Sequence, residues 1–301
     1  MTDDRVFVGV DVGGTKVLAI AIGASGDVVR GEARTPTPET SDELIEVIAA
    51  AAKTAASEAG AALGAVGVGV PGLVDSDGVM RFAANLPGMT ELPLRKIFTE
   101  RLGVPVVVDN DANAAAWGER CSGAGGGAND LLMVTIGTGI GGGIVLNGEL
   151  YRGAHGMAGE IGHTVVQLDG EPCSCGQRGC WEKYASGSAL NRIGRAAGFD
   201  SSEMVVARAG DGDAAALDVM NTFARWMAIG LAGLVNTLDP SVIVLGGGLI
   251  EAGDLLLKPL CDWMAKLVEG GEHRPAVPLL AATLGERAGA IGAALLARAI
   301  V

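Results

Sequence analysis

Two stretches of the chain repeat one pattern, and that pattern limits the folds open to it. Residues 6–11 read as a buried strand, Gly13-Gly14-Thr15-Lys16 as a glycine turn, and residues 17–22 as a second strand. About 125 residues later, residues 131–136, Gly137-Thr138-Gly139 and residues 140–146 repeat strand, glycine–hydroxyl turn, strand. A turn of this kind can present backbone N–H groups to a phosphate. Two of them facing each other across a cleft could hold a polyphosphate chain from both sides. Asp11, just before the first turn, could hold Mg²⁺, which takes a carboxylate together with waters and phosphate oxygens. The first turn reads equally as an ordinary tight hairpin. Gly137, Gly139 and Gly142 also fit G-x-G-x-x-G, as do Gly67, Gly69 and Gly72. A dinucleotide fingerprint must open a helix, and here the glycines run into a strand, so a Rossmann site is rejected.

The remaining periodicity alternates strands and helices. A strand is expected over residues 28–35 and a helix from Ser41 to about Ala59, capped by Ser41 or Thr40 and stopped by Gly60. A strand over 66–70 runs into Pro71-Gly72, residues 73–91 look irregular, and a short helix covers 93–102. The strand 104–108 ends in Asp109-Asn110-Asp111-Ala112-Asn113, followed by a helix to about Cys121. Open α/β sheets place ligands at the carboxyl ends of strands. There Asp111 could act as general base on an alcohol, with Asn110 and Asn113 on hydroxyls. The plainer alternative is that Asp109 or Asp111 is the helix N-cap. Further on, helices are expected over 185–197, 202–209 and 213–238, the last apolar on nearly all faces as at a subunit interface. The strand 242–245 leads through Gly246-Gly247-Gly248, which would let a flat ring lie on backbone, to a helix over 250–268. A strand at 277–280 and a helix over 287–300 close the chain.

Between these halves lies the densest chemistry, residues 159–182. His163, Cys173, Cys175 and Cys180 offer one imidazole and three thiolates, a donor set for a closed tetrahedral structural zinc site. The spacing fits no common zinc finger, and Gly176 and Gly179 supply the turns. Three reduced thiols, or one disulfide with a spare, are the alternatives. Glu160 and Glu182 bracket the loop and could accept sugar hydroxyls, or be solvated loop charges. Cys121 and Cys261 read as small hydrophobes.

Composition sets the outer limits. The 301 residues suffice for two domains, and with 49% hydrophobic but only 4% aromatic residues the core must be Ala, Val, Leu and Ile. A net charge of −13 argues against a nucleic-acid surface. The N-terminus lacks the pattern of a secretory signal and no apolar run reaches membrane-spanning length, so a cytoplasmic protein is expected, in keeping with its reduced cysteines.

The motifs D11-V-G-G-T-K, G69-V-P-G-L-V, N85-L-P-G, D109-N-D-A-N-A, I136-G-T-G-I-G-G-G, G159-E-I-G-H, C173-S-C-G-Q-R-G-C-W-E and L245-G-G-G stand in one order over nearly the whole chain. In this the sequence resembles the ROK family (repressors, open reading frames and kinases), and within it the bacterial glucokinases. The resemblance implies an α/β actin-like ATPase (ribonuclease H-like) fold with two domains around a central cleft. The first would be residues 1–115 completed by the helix 287–301, the second residues 116–286 with the zinc loop 163–180. It implies ATP-dependent phosphorylation of glucose at its 6-hydroxyl. Asp111 would be the base. Glu160, His163, Glu182, Asn85 and Asn110 would hold the sugar. Gly13, Gly14, Thr15, Lys16, Thr138 and Gly139 would hold phosphates, and Gly246, Gly247 and Gly248 would line the adenosine side. Asp11 would position Mg²⁺, and zinc would be structural. Met89 departs from the Trp that many glucokinases carry after N-L-P-G. N-acetylmannosamine, N-acetylglucosamine, fructose or mannose as substrate, polyphosphate as donor, and a non-catalytic sugar sensor are the alternatives. A DNA-binding repressor is disfavoured by the charge and by a phosphate motif that begins at Asp11. A homodimer or homotetramer is expected.

Overall fold

A computed structural model describes residues 5–24, 29–83, 86 and 88–301. In chain order the strands are β1 (Arg5–Val12), β2 (Lys16–Ile22), β3 (Val29–Pro36), β4 (Ala62–Val70), β5 (Leu73–Val74), β6 (Met80–Phe82), β7 (Val106–Asn110), β8 (Leu131–Ile136), β9 (Ile140–Leu146), β10 (Glu149–Leu150), β11 (Val242–Gly246) and β12 (Leu279–Ala281). The helices are α1 (Ser41–Glu58), α2 (Leu94–Leu102), α3 (Asp111–Ser122), α4 (Glu182–Ala185), α5 (Gly187–Ala196), α6 (Ser202–Gly210), α7 (Ala214–Leu238), α8 (Asp254–Leu267) and α9 (Ala288–Arg298). Two five-stranded sheets run in the orders β3-β2-β1-β4-β7 and β10-β9-β8-β11-β12. Each is a three-strand meander extended by two strands reached by crossovers, so the repeat seen in the sequence is a repeat of topology.

The chain divides into two compact units. One comprises Met1–Met133, Gly143–Gly159 and Thr283–Val301, the other Val134–Gly142 and Glu160–Ala282. The first therefore runs past the expected boundary at residue 115. The reason lies in α3, which packs along α9, and in β9, which lies on α3. A Cβ at Gly292 would come within 1.7 Å of the Ala114 carbonyl oxygen, and one at Gly143 within 2.6 Å of that of Ala112.

In the first unit β1 and β2 are antiparallel, while β1–β4 and β4–β7 are parallel. Successive side chains of these strands point to opposite faces, so their near-continuous apolar runs feed two cores. Val6, Val8, Val10, Val66 and Val68 join Leu44, Ile48 and Phe98 of α1 and α2. Phe7, Leu18, Ile20 and Ala65 meet Ala290, Ile291 and Ala294 of α9. Glycine lets α9 approach the sheet closely: a Cβ at Gly9 would sit 1.8 Å from the Ala290 oxygen, and at Gly67 1.9 Å from that of Ala293. Helix α1 begins at Thr40, whose side-chain oxygen accepts from Glu43 N, and stops before Gly60 at φ +64°. The irregular stretch after Gly72 contains the β5–β6 hairpin. Met89 is buried in the α1–α2 core.

In the second unit α7 opens on Asp213, whose carboxylate accepts from Ala215 N and Ala216 N, and ends on Asp239 in the left-handed region. Its apolar surface is narrower than the sequence suggested. Met220, Phe223, Met227 and Leu231 form a buried stripe, whereas Leu217 is 41% exposed. Cys121 and Cys261 are also exposed, each on the outer side of a helix. Among the described residues no helix is long and apolar enough to cross a membrane.

Candidate active site and metal centre

In the first unit the glycine turn is closed by Gly13 N donating to the Lys16 carbonyl at 2.9 Å. Thr37 braces it from the end of β3, its hydroxyl donating to Gly13 O at 2.7 Å and its N–H to Thr15 O at 3.1 Å. A Cβ at Gly14 would meet nothing within 4 Å, and its φ is not left-handed. Neither packing nor backbone conformation requires glycine there, which suits a turn kept bare for a ligand.

Asp11 and Asp111 lie near one another beside Gly69. A Cβ at Gly69 would stand 3.4 Å from Asp111 Cα and 3.7 Å from Asp11 Oδ1. Burial, then the charge of Asp111, raise the Asp11 carboxyl to about 7, against a lowering by Lys16. Burial likewise raises Asp111, opposed by the hydrogen bond it accepts from Ala112 N at 2.9 Å. Two half-buried carboxylates with raised proton affinity could take a divalent cation at Asp11 and a proton at Asp111.

The strand–helix corner resolves the alternatives left by the sequence. Neither Asp109 nor Asp111 caps α3. The cap is Asn110, whose Oδ1 accepts from Ala112 N at 2.9 Å and Asn113 N at 3.2 Å. Its Nδ2 donates to Gly72 O at 3.2 Å, which leaves one amide hydrogen for a ligand. Asp111 is thereby spared the cap. Asn113 is fully buried on the inner side of α3 and gives its Nδ2 to Asp109, so it does not reach a hydroxyl. Asp109 is buried too, with Arg152 Nε on its Oδ2 at 2.7 Å. Asn85 lies outside the described residues.

The second unit carries the His/Cys donor cluster. The donor atoms of His163, Cys173, Cys175 and Cys180 all lie within 4.8 Å of one another. Cys173 Sγ is 3.7 Å from His163 Nδ1, and Cys175 Sγ 3.6 Å from Cys180 Sγ. The edge of a tetrahedron with metal–sulfur bonds of about 2.3 Å is ~3.8 Å, so the cluster is compatible with zinc. Gly176 and Gly179 sit at φ +91° and +78°, as their turns require. A Cβ at Gly179 would also lie 1.7 Å from the Gln167 oxygen.

The cluster fixes both acids. His163 Nε2 is 3.9 Å from Glu160 Oε2. Glu182 Oε1 accepts from Cys173 Sγ at 3.3 Å, and its Oε2 accepts from Ile140 N at 3.4 Å. Glu182 thus stands between the cysteine loop and the second glycine turn. That turn is tied to the start of α5: Gly187 N donates to Gly137 O and Ser188 Oγ to Thr138 O, both at 2.8 Å. Gly247, at φ +97°, lies where a Cβ would be 2.0 Å from the Ile136 oxygen. Thr138, Gly139 and Gly246–Gly248 therefore gather at neighbouring strand ends. A Cβ at Gly137 or Gly248 would meet nothing within 4 Å.

The ROK family pattern spans residues 7–300. The chain belongs to the ROK family. Among its ROK relatives, the glucokinase of Streptomyces coelicolor is 40% identical over 97% of each chain. The ROK glucokinase of Streptomyces griseus, solved with glucose and AMPPNP, is 39% identical with a TM-score of 0.86 over 98% of this chain and 99% of that one. The ROK hexokinase of Thermus thermophilus is 38% identical with a TM-score of 0.87 and the same coverage. The expected α/β, actin-like ATPase fold is thus borne out.

Several residues that shape this ROK site escaped the sequence reading. Trp181 is buried and anchors the cysteine loop to α7, its Nε1 donating to Trp226 O at 2.8 Å and its ring lying on Gly230. Its place next to Cys180 was the available signal. Arg152 and the buried Glu119 had none, because their partners are distant in sequence. Glu119 accepts from Ala124 N at 2.8 Å, Thr283 N at 3.2 Å and Leu284 N at 2.8 Å, which fixes the entry to α9.

Proposed function

We propose that the chain transfers the terminal phosphoryl group of ATP to the 6-hydroxyl of glucose. The observation that carries this is the likeness to the ROK glucokinases over the whole chain, joined to a carboxylate, Asp111, that its helix does not use as a cap. Asp111 accepts the proton of the 6-hydroxyl as the oxygen–phosphorus bond forms. In a loose transition state that demand comes late, so positioning and charge neutralisation contribute most. Glu160, His163, Glu182 and the remaining amide hydrogen of Asn110 engage sugar hydroxyls. The turns at Gly13–Thr15 and Thr138–Gly139 receive phosphates, and Gly246–Gly248 faces the adenosine.

Mg²⁺, which would neutralise donor phosphate charge, would be held on the Asp11 side. Zinc at His163, Cys173, Cys175 and Cys180 would be structural. By holding His163 and the loop it would fix the orientation of Glu160 and Glu182. A reducing cytoplasm would keep those thiols available.

The test is an ADP-release assay with MgATP against glucose, mannose, fructose, N-acetylmannosamine and N-acetylglucosamine, with Asp111→Asn alongside. Glucose turnover well above the rest, lost in the variant, is the expected result. Turnover confined to an N-acetylated sugar would replace the substrate, and none on any sugar would favour a sensor.

A further inference from the structure

The face of the first sheet that receives α9 ends in a cluster of charges beside the glycine turn. Lys16 Nζ donates to Glu286 Oε2, and Arg34 Nη2 to Glu286 Oε1. Arg34 also stands 3.6 Å from Glu32 Oε1, and Arg287 2.7 Å from Glu32 Oε2. Hydrogen bonds from Arg34 and Lys16 draw the Glu286 carboxyl down to about 2, so it is an anion at any working pH. The backbone bearing Glu286 is held in place, because Thr283 and Leu284 just before it are bound by the buried Glu119. A fixed carboxylate therefore sits on the cation of the phosphate turn.

We propose that Glu286 limits affinity for the phosphoryl donor by acting as an internal anion on Lys16 that the donor's phosphate chain must displace. This rests on the assignment of Lys16 to donor phosphates. The pair is solvent-exposed, with 33% and 50% of the two side chains accessible, so it is weak enough for a phosphate chain to break. It still taxes every donor. ATP offsets that cost through contacts to its nucleoside, which a donor built only of phosphate lacks. Glu286 thus lowers the affinity of ATP and of inorganic polyphosphates by the same factor, and the preference between them rests on the nucleoside contacts. With a polyphosphate donor the terminal P–O bond would break, the shortened phosphate chain would leave, and the new P–O bond would form to the glucose 6-oxygen as its proton passes to Asp111.

The experiment measures glucose 6-phosphate formation with MgATP and with magnesium tripolyphosphate, in wild type, Glu286→Gln, Lys16→Met and the double variant. Melting temperatures confirm that each is folded. In Glu286→Gln the KM for MgATP should fall roughly two- to fivefold, about what an exposed ion pair is worth, with little change in kcat. The KM for tripolyphosphate should fall by the same factor. Lys16→Met should raise KM for MgATP, and Glu286→Gln should add nothing in that background. An unchanged or higher KM in Glu286→Gln, with Lys16→Met still impaired, overturns the proposal and leaves Lys16 on the phosphates. An unchanged KM in Lys16→Met overturns that assignment as well.

Discussion

Replacing Asp11 by Asn should make the ligand-free protein more stable at neutral pH while weakening its use of MgATP. The folded-state carboxyl titrates at about 7 against an ordinary value of 3.8. Below pH 3.8 both folded and unfolded chains hold the proton, and the site costs nothing. As pH rises to about 7 the unfolded chain releases the proton while the folded chain keeps it. Stability therefore falls across that window and then levels off. At 1.36 kcal/mol per pH unit the difference amounts to at most ~4 kcal/mol. Asn has nearly the same shape and cannot ionise, so it removes the penalty. With a melting shift of roughly 3 °C per kcal/mol for a unit of this size, the variant should melt about 6–12 °C above wild type at pH 8. The gap should close towards pH 4. Melting scans from pH 4 to 8.5 in EDTA would read it, and a repeat with MgATP should stabilise wild type more than the variant. A gap that is absent, or constant with pH, would refute the claim that an ionised Asp11 is strained by its surroundings.

Other sites give equally definite outcomes. Gly69→Ala should leave the melting temperature nearly unchanged, because its methyl makes only ordinary contacts, yet lower kcat at least tenfold by filling the space beside Asp11 and Asp111. Equal losses in stability and rate would argue against that. Gly292→Ala should destabilise by about 1–3 kcal/mol or more, since its Cβ would strike the backbone of α3; urea unfolding measures it. Chelating the metal should lower sugar affinity and stability together. A fall in kcat at unchanged KM and unchanged melting would sink a structural role for zinc.

The sequence by itself determined the alternation of strands and helices, the two glycine turns and the His163, Cys173, Cys175 and Cys180 donor set. These are local properties: strand runs between glycine turns, caps such as Thr40, and four donors within 18 residues that had to cluster if they bound a metal. Tertiary structure decided what depends on partners far along the chain. Asn110 rather than either aspartate caps α3, because strand β7 runs on to Asn110 and delivers its side chain to the helix start. The first unit claims residues 116–133 and 143–159, because α9 returns from the far end of the chain and glycine-level contacts bind α3 and β9 to it. Asp11 is acidic in any sequence. Its raised pKa exists only because β1 and α3 partly bury it beside the charge of Asp111. Glu286 is an ordinary surface residue until the turn before α9 sets it against Lys16, 270 residues away.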